Sequence, residues 1–216
     1  AGFQVGDSQL SRMNITNTVS LSASASSFSQ PSVVYVQPDS FITISEQPAL
    51  KPVLGYGIDF EIRNPAAVAK PLVLFWALPD SLRQAAQQLA VYQKAVNGSH
   101  WIQLPTSLHN TGLEAEIRQS GKLAVLNSSD QEPPAVSLSI DGQPYVWGKF
   151  ISATPILALR IQDDNGLYLS RSSLTVFLDD EDVTDTVLQD TAQISHQHVI
   201  ELNPEFESGT HRLVVQ

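Results

Sequence analysis

The sequence predicts an all-β protein, built as two tandem antiparallel β-sandwich domains (residues 1–130 and 131–216) with one short helical insertion near 80–89. Three observations carry the expectation. Side-chain character alternates with period two through most of the chain, as half-buried strands require. Gly, Pro, Asn and Asp break that rhythm at the short intervals of a sandwich. A polar stretch with two prolines, "NSSDQEPP" (127–134), coincides with a break in charge: residues 1–130 hold 8 basic and 9 acidic side chains, residues 131–216 hold 4 and 13. That stretch has the composition of a linker.

The strands follow in order. "TVSLSAS" (18–24), "SVVYV" (32–36) and "FITIS" (41–45) alternate or are rich in β-formers. In "GIDFEIR" (57–63), Ile58, Phe60 and Ile62 fall on one side, and Asp59, Glu61 and Arg63 on the other. "PLVLFWAL" (71–78) is apolar on both faces and reads as a central strand that buries Trp76. "QLAVYQK" and "SHWIQL" flank Asn97-Gly98, a dipeptide that tolerates positive φ and so predicts a hairpin. "LEAEIRQ" and "KLAVL" are expected to form another hairpin through Ser120-Gly121. "DSLRQAAQQL" (80–89) alone has helical character, with Asp80 or Ser81 as its cap. Beyond 134 the strands resume with "AVSLSID", "YVWGKFIS" (145–152), "PILALRIQ", "SLTVFLD", "QHVIEL" and "HRLVVQ".

Composition excludes several functions. The net charge of −10 lacks the basic footprint that nucleic acids and anionic membranes require. Without cysteine there is no thiolate catalysis, disulfide or cysteine-held zinc. No apolar run reaches the roughly 20 residues of a membrane span, so no membrane insertion is expected. No G-x-S-x-G elbow, H-E-x-x-H, Walker loop or G-x-G-x-x-G is present, and the expectation is a protein that is not an enzyme.

Three sets of residues invite a site. Asp163, Asp164 and Asn165 lie in "DDNG", and Asp179, Asp180 and Asp182 in "DDED". Asn165-Gly166 predicts a hairpin and "DDED" a polar strand exit, while the alternative is calcium, which takes six to eight oxygens from loops of this kind. The spacing is not that of an EF-hand. His196 and His198, two apart, share a strand face, where two solvated imidazoles weigh against a metal clamp. Trp101, just after the Asn97-Gly98 turn, and Trp147, near Gly148, are candidates for an exposed carbohydrate-stacking shelf, against the commoner use of tryptophan as a packing anchor.

The second half, through Pro133-Pro134, Asp141-Gly142, Ser152 to Pro155, Asp164-Asn165-Gly166, Leu178-Asp179 and Gly209-Thr210-His211, resembles the immunoglobulin-like modules of large secreted bacterial proteins. Such modules occur in Bacteroidota proteins exported by the type IX system, including those downstream of gingipain-like peptidase domains. The resemblance implies an extracellular or cell-surface location and a scaffold, spacer or adhesive role, and it carries over no catalytic residue. The partner it implies is a protein, a cell surface or other domains of the parent chain. The runner-up expectations are a calcium- or carbohydrate-binding sandwich and an accessory domain packing on a peptidase domain outside this chain. Ala1 to Gly6 has no basic n-region or apolar h-region, so an exported protein is expected to be represented here by a mature fragment or an excised piece of something longer.

Overall fold

The computed structural model describes residues 2–5, 11–24, 26–40, 42, 44, 47–65, 68–96, 98–129, 132–167, 169, 173–188 and 195–216. The chain is all-β with antiparallel sheets, and it divides into two compact units, Ala1–Asp130 and Gln131–Gln216.

The first unit contains β1 (Gly2–Val5), β2 (Ser11–Asn14), β3 (Val19–Ala23), β4 (Ser32–Asp39), β5 (Leu50–Pro52), β6 (Gly57–Ile62), β7 (Leu72–Ala77), β8 (Leu89–Ala95), β9 (Trp101–Gln103), β10 (Thr106–His109), β11 (Gly112–Ile117) and β12 (Gly121–Ser128). One sheet runs β1-β4-β6-β12-β8-β9, with β5 on the rest of β12's edge; the other runs β10-β11-β7-β3-β2. Period two decides the core. Val19, Leu21, Leu72, Leu74, Trp76, Leu113, Ala115 and Ile117 are buried on one face of the second sheet, where Trp76 pairs with both Val19 and Leu113. Ile58, Phe60, Leu123 and Val125 are buried in the first. Tyr56, just before β6, ties the sheets together: its hydroxyl accepts the Trp76 indole N–H at 3.3 Å and bonds Thr18 Oγ1 at 2.7 Å.

Ser120-Gly121 does not make a hairpin. β11 pairs with β7 and β10, whereas β12 pairs with β8, β6 and β5, so this connection crosses from one sheet to the other. The crossing is fastened by Gln93 Nε2, which donates to Gln119 O at 2.7 Å, and by Ser120 Oγ, which accepts the Ile62 N–H at 2.9 Å. A side chain at Gly121 would strike Lys94 O at 2.4 Å. Glycine is there for close approach rather than for a turn.

The helical insertion is shorter than the sequence predicts. α1 spans Asp80–Arg83, followed by one 3₁₀ turn at Ala86–Gln88. Pro79 occupies the cap position and neither Asp80 nor Ser81 caps it; Asp80 instead pairs with Arg83 at 2.8 Å. β8 and β9 are joined across 96–100, of which Asn97 lies outside the described residues. In "FITIS", Phe41, Thr43 and Ser45 lie outside the described residues as well, and Ile42 and Ile44 belong to no strand. They pack instead on a cluster of Leu50, Tyr92, Trp101 and Leu126.

The second unit contains β13 (Ala135–Ile140), β14 (Gln143–Pro144), β15 (Leu157–Leu167), β16 (Val176–Leu178), β17 (Glu181–Asp182), α2 (Thr184–Leu188), β18 (Ser195–Leu202) and β19 (Leu213–Val215). The strands form a sheet of order β14-β13-β15-β18 and another of order β17-β16-β19. Leu157, Leu159, Ile161, Ile200 and Leu202 from the first are buried with Leu174, Val176 and Val187, and Leu213 and Val215 pack on them. Two predicted features differ. "DDNG" is no hairpin: β15 continues through it, with a register shift between Gln162 and Leu167 that leaves a bulge. Gly166, at φ +83°, takes the left-handed conformation that a bulge glycine supplies. "YVWGKFIS" is not a strand, and the linker "NSSDQEPP" begins inside β12, which holds Asn127 and Ser128.

Candidate functional site

The two acidic groups occupy different settings. Asp163, Asp164 and Asn165 ride on the bulged part of β15, where Asp163 O bonds His196 Nδ1 at 3.2 Å. The side chain of Asn165 lies outside the described residues. Asp179 and Asp180 form the two-residue turn between β16 and β17, at φ +50° and +66°. Both signs match a type I′ hairpin, for which aspartate is among the tolerant residues. The sequence reading of a strand exit is thus corrected to a closed hairpin.

Most of these carboxylates have structural partners. Asp179 Oδ1 accepts the Arg212 N–H at 2.7 Å and Oδ2 meets His211 Nδ1 at 2.6 Å. Asp182 Oδ1 accepts the Thr184 N–H at 3.0 Å at the start of α2, and Asp180 stands 3.9 Å from Arg212. Among the described residues no three His, Asp or Glu converge as a metal site would need.

The Asp179–His211 pair has a pH consequence. His211 Nε2 also meets the Glu207 carbonyl at 2.9 Å, and Phe206 stacks on the ring with centroids 4.1 Å apart. Both nitrogens face acceptors, so the protonated ring suits the site. The bond to Asp179, then that to Glu207, raises the imidazole above its ordinary value. The Arg212 N–H, then His211, lowers the Asp179 carboxyl. A raised imidazole stabilises the fold below the unfolded value of about 6.5 and loses that contribution as pH climbs through the folded value; a lowered carboxyl stabilises above about 3.9 and loses it as pH falls. The second unit is therefore expected to melt at progressively lower temperature as pH rises above neutrality. His211→Ala should flatten this part of the Tm–pH curve, and an unchanged slope in that variant would count against the pair.

The tryptophans separate cleanly. Trp101 is 2 % exposed, so the sugar-shelf expectation for it is corrected: its indole belongs to the core cluster beneath Ile42 and Ile44. Its main chain is held by Gln47, whose Oε1 accepts the Trp101 N–H at 2.5 Å and whose Nε2 donates to Trp101 O at 2.9 Å. Trp147 is 88 % exposed. It sits at the apex of a β-turn in which Lys149 N–H donates to Val146 O at 3.4 Å and Gly148 takes φ +79°, the second central position of a type II turn.

Sequence reasoning missed Val146, Phe150 and Ile151 beside Trp147. Phe150 is fully exposed, and Tyr145, Val146 and Ile151 are each at least two-fifths exposed. The apolar run 145–151 reads as a strand because hydrophobicity there resembles burial; Trp147-Gly148 in mid-run was the signal for a turn.

The outer face of the first unit's larger sheet holds a depression of about 470 Å³ lined by Tyr35, Gln37, Asp59, Glu61, Lys94 and Lys122. Its charges largely satisfy one another. Lys122 bonds Asp39 at 2.5 Å and lies 3.7 Å from Asp59, Glu61 pairs with Arg63 at 3.1 Å, and Arg63 stacks over Tyr35. Of these, Lys122 and Asp59 are directly opposed across β12 and β6, a cross-strand pair on a solvated sheet face.

No protein family, curated protein or solved structure matches the chain. No helix among the described residues is long and apolar enough to cross a membrane.

Proposed function

We propose that the chain is a non-catalytic interaction module of a larger exported bacterial protein, working outside the cell or at its surface, with two immunoglobulin-like sandwiches as a scaffold. The observation that carries this reading is the apolar loop 145–151, with Trp147 and Phe150 almost wholly in water. Burying one such aromatic is worth about 1.5–3 kcal/mol, so a surface that covers the loop gains a strong anchor. The four-plus-three strand arrangement of the second unit and the resemblance of its sequence to secreted modules support the scaffold and its location. The same loop also favours a second reading, an accessory domain seated on a neighbouring domain of the parent chain.

The test is site-specific photo-crosslinking in the native host, with p-benzoylphenylalanine in place of Trp147. Discrete adducts are expected, absent when the probe replaces Val199 on the exposed face of β18. Adducts within the parent chain select the accessory reading. No adduct from Trp147 would sink the proposal that the loop is a docking surface.

A further inference from the structure

We infer that the second unit takes one further β-strand, supplied by the parent polypeptide, antiparallel on the free edge of β19; this rests on the chain's being a module of a larger protein.

Backbone directions define the edge. Thr175 and Gln216 exchange both N–H···O bonds, at 2.7 and 2.9 Å, and Asp179 N–H donates to Arg212 O at 2.9 Å. Antiparallel pairs alternate between bonded and non-bonded, so Arg212, Val214 and Gln216 turn their backbone groups toward β16. Leu213 and Val215 lie between them, opposite Leu178 and Val176, and turn theirs outward. The Val176 carbonyl agrees with this alternation, for it accepts the Val183 N–H on the side away from β19. No strand among the described residues pairs with the outer side of β19.

The core is open along the same side. α2, which follows β17, contacts β16 and β18 and buries Val187 in the core. It closes the core where β17 and β18 lie, which leaves β19 and β13 toward the opposite side. Inward-facing residues follow that division. Leu159 on β15 and Val176 on β16 are 2 % and 0 % exposed. On β13, Leu138 opposite Leu159 is only partly buried, and Val136 opposite Ile161 is 52 % exposed. Leu213 and Val215 are only partly buried as well. In a strand added beside β19, the residues opposite Leu213 and Val215 share their inward face. The occupant is therefore an extended segment with apolar side chains at those two alternate positions, which complete the core over β13.

The shortness of the edge decides the source. Leu213 and Val215 offer one N–H and one C=O each. So few backbone bonds, each of small net worth in water, do not offset the cost of bringing two molecules together. A free peptide does not stay. A strand tethered through the parent chain meets the edge at an effective concentration of about millimolar, and the association cost largely disappears.

The test is residue-resolved hydrogen exchange on this 216-residue chain and on the parent protein purified from its host. The Leu213 and Val215 amides are expected to exchange at least about tenfold more slowly in the parent. Val214, paired with β16 in both proteins, is the internal reference. Val215→Pro removes an N–H that makes no bond to β16, so it should lower the thermal midpoint of the module in the parent by more than that of the 216-residue chain. Equal exchange of Leu213 and Val215 in the two proteins overturns the added strand while leaving the module reading intact. A native protein no longer than this chain overturns both. Protection that requires a separate bound protein overturns the tethered source. Trp147 adducts without protection of β19 leave the docking loop standing and remove the added strand; protection without adducts does the reverse.

Discussion

Trp76→Ala is expected to destabilise the first unit by about 3–5 kcal/mol, the range for removing a large aromatic from a packed core. Trp76 has no exposed surface and lies on β7, the central strand of its sheet, between Val19 of β3 and Leu113 of β11. Truncation leaves a cavity bounded by two strands whose own ladders limit collapse. It also deprives the Tyr56 hydroxyl of its indole donor, though Thr18 remains as a partner. Urea unfolding of the whole chain, followed through Trp101 fluorescence, reports on this unit because Trp101 is buried there and Trp147 belongs to the other. A loss below about 1 kcal/mol would mean that the sheets close around the gap, contrary to the usual stiffness of interiors.

Gly112→Ala is expected to cost about 2–3 kcal/mol, the upper part of the range for overpacking. A Cβ there would stand 2.3 Å from Trp76 O and 2.9 Å from the Cα of Ala77. Both are backbone atoms of β7, held by pairing on both sides, so no flexible side chain can yield. The comparison is Gly55→Ala, where a Cβ meets nothing within 4 Å. That change should be neutral, or stabilising by about 0.4–1 kcal/mol through the unfolded chain's lost freedom. Equal effects from the two substitutions would show that close approach to β7 is not what Gly112 provides.

The strands legible in the sequence are those whose two faces have different fates. "GIDFEIR" forms β6 with Ile58, Phe60 and Ile62 buried and Glu61 exposed, because a half-buried strand writes its orientation into alternate residues. "PLVLFWAL" forms β7, and Trp76 is core. Local turn chemistry was less informative. Asn165-Gly166 has the composition of a hairpin turn yet lies within one continuous strand, since pairing with β18 continues on the far side of the bulge. Asp179-Asp180, read as a strand exit, closes the hairpin, and the Arg212 main chain and His211 ring hold it from another strand's approach.

Composition and periodicity by themselves determined that this chain is all-β, that its acids gather beyond residue 130, and that thiol chemistry is closed to it. These are properties of residue types and of their two-residue rhythm, which survive any arrangement of the strands. Only the tertiary structure decided which tryptophan is hidden and which is offered. Trp101 and Trp147 both stand next to glycine-marked turns, but Ile42, Ile44 and Gln47 fold over the first, while no strand pairs the segment that carries the second. Burial is conferred by residues distant in the chain, and a local pattern holds no record of them.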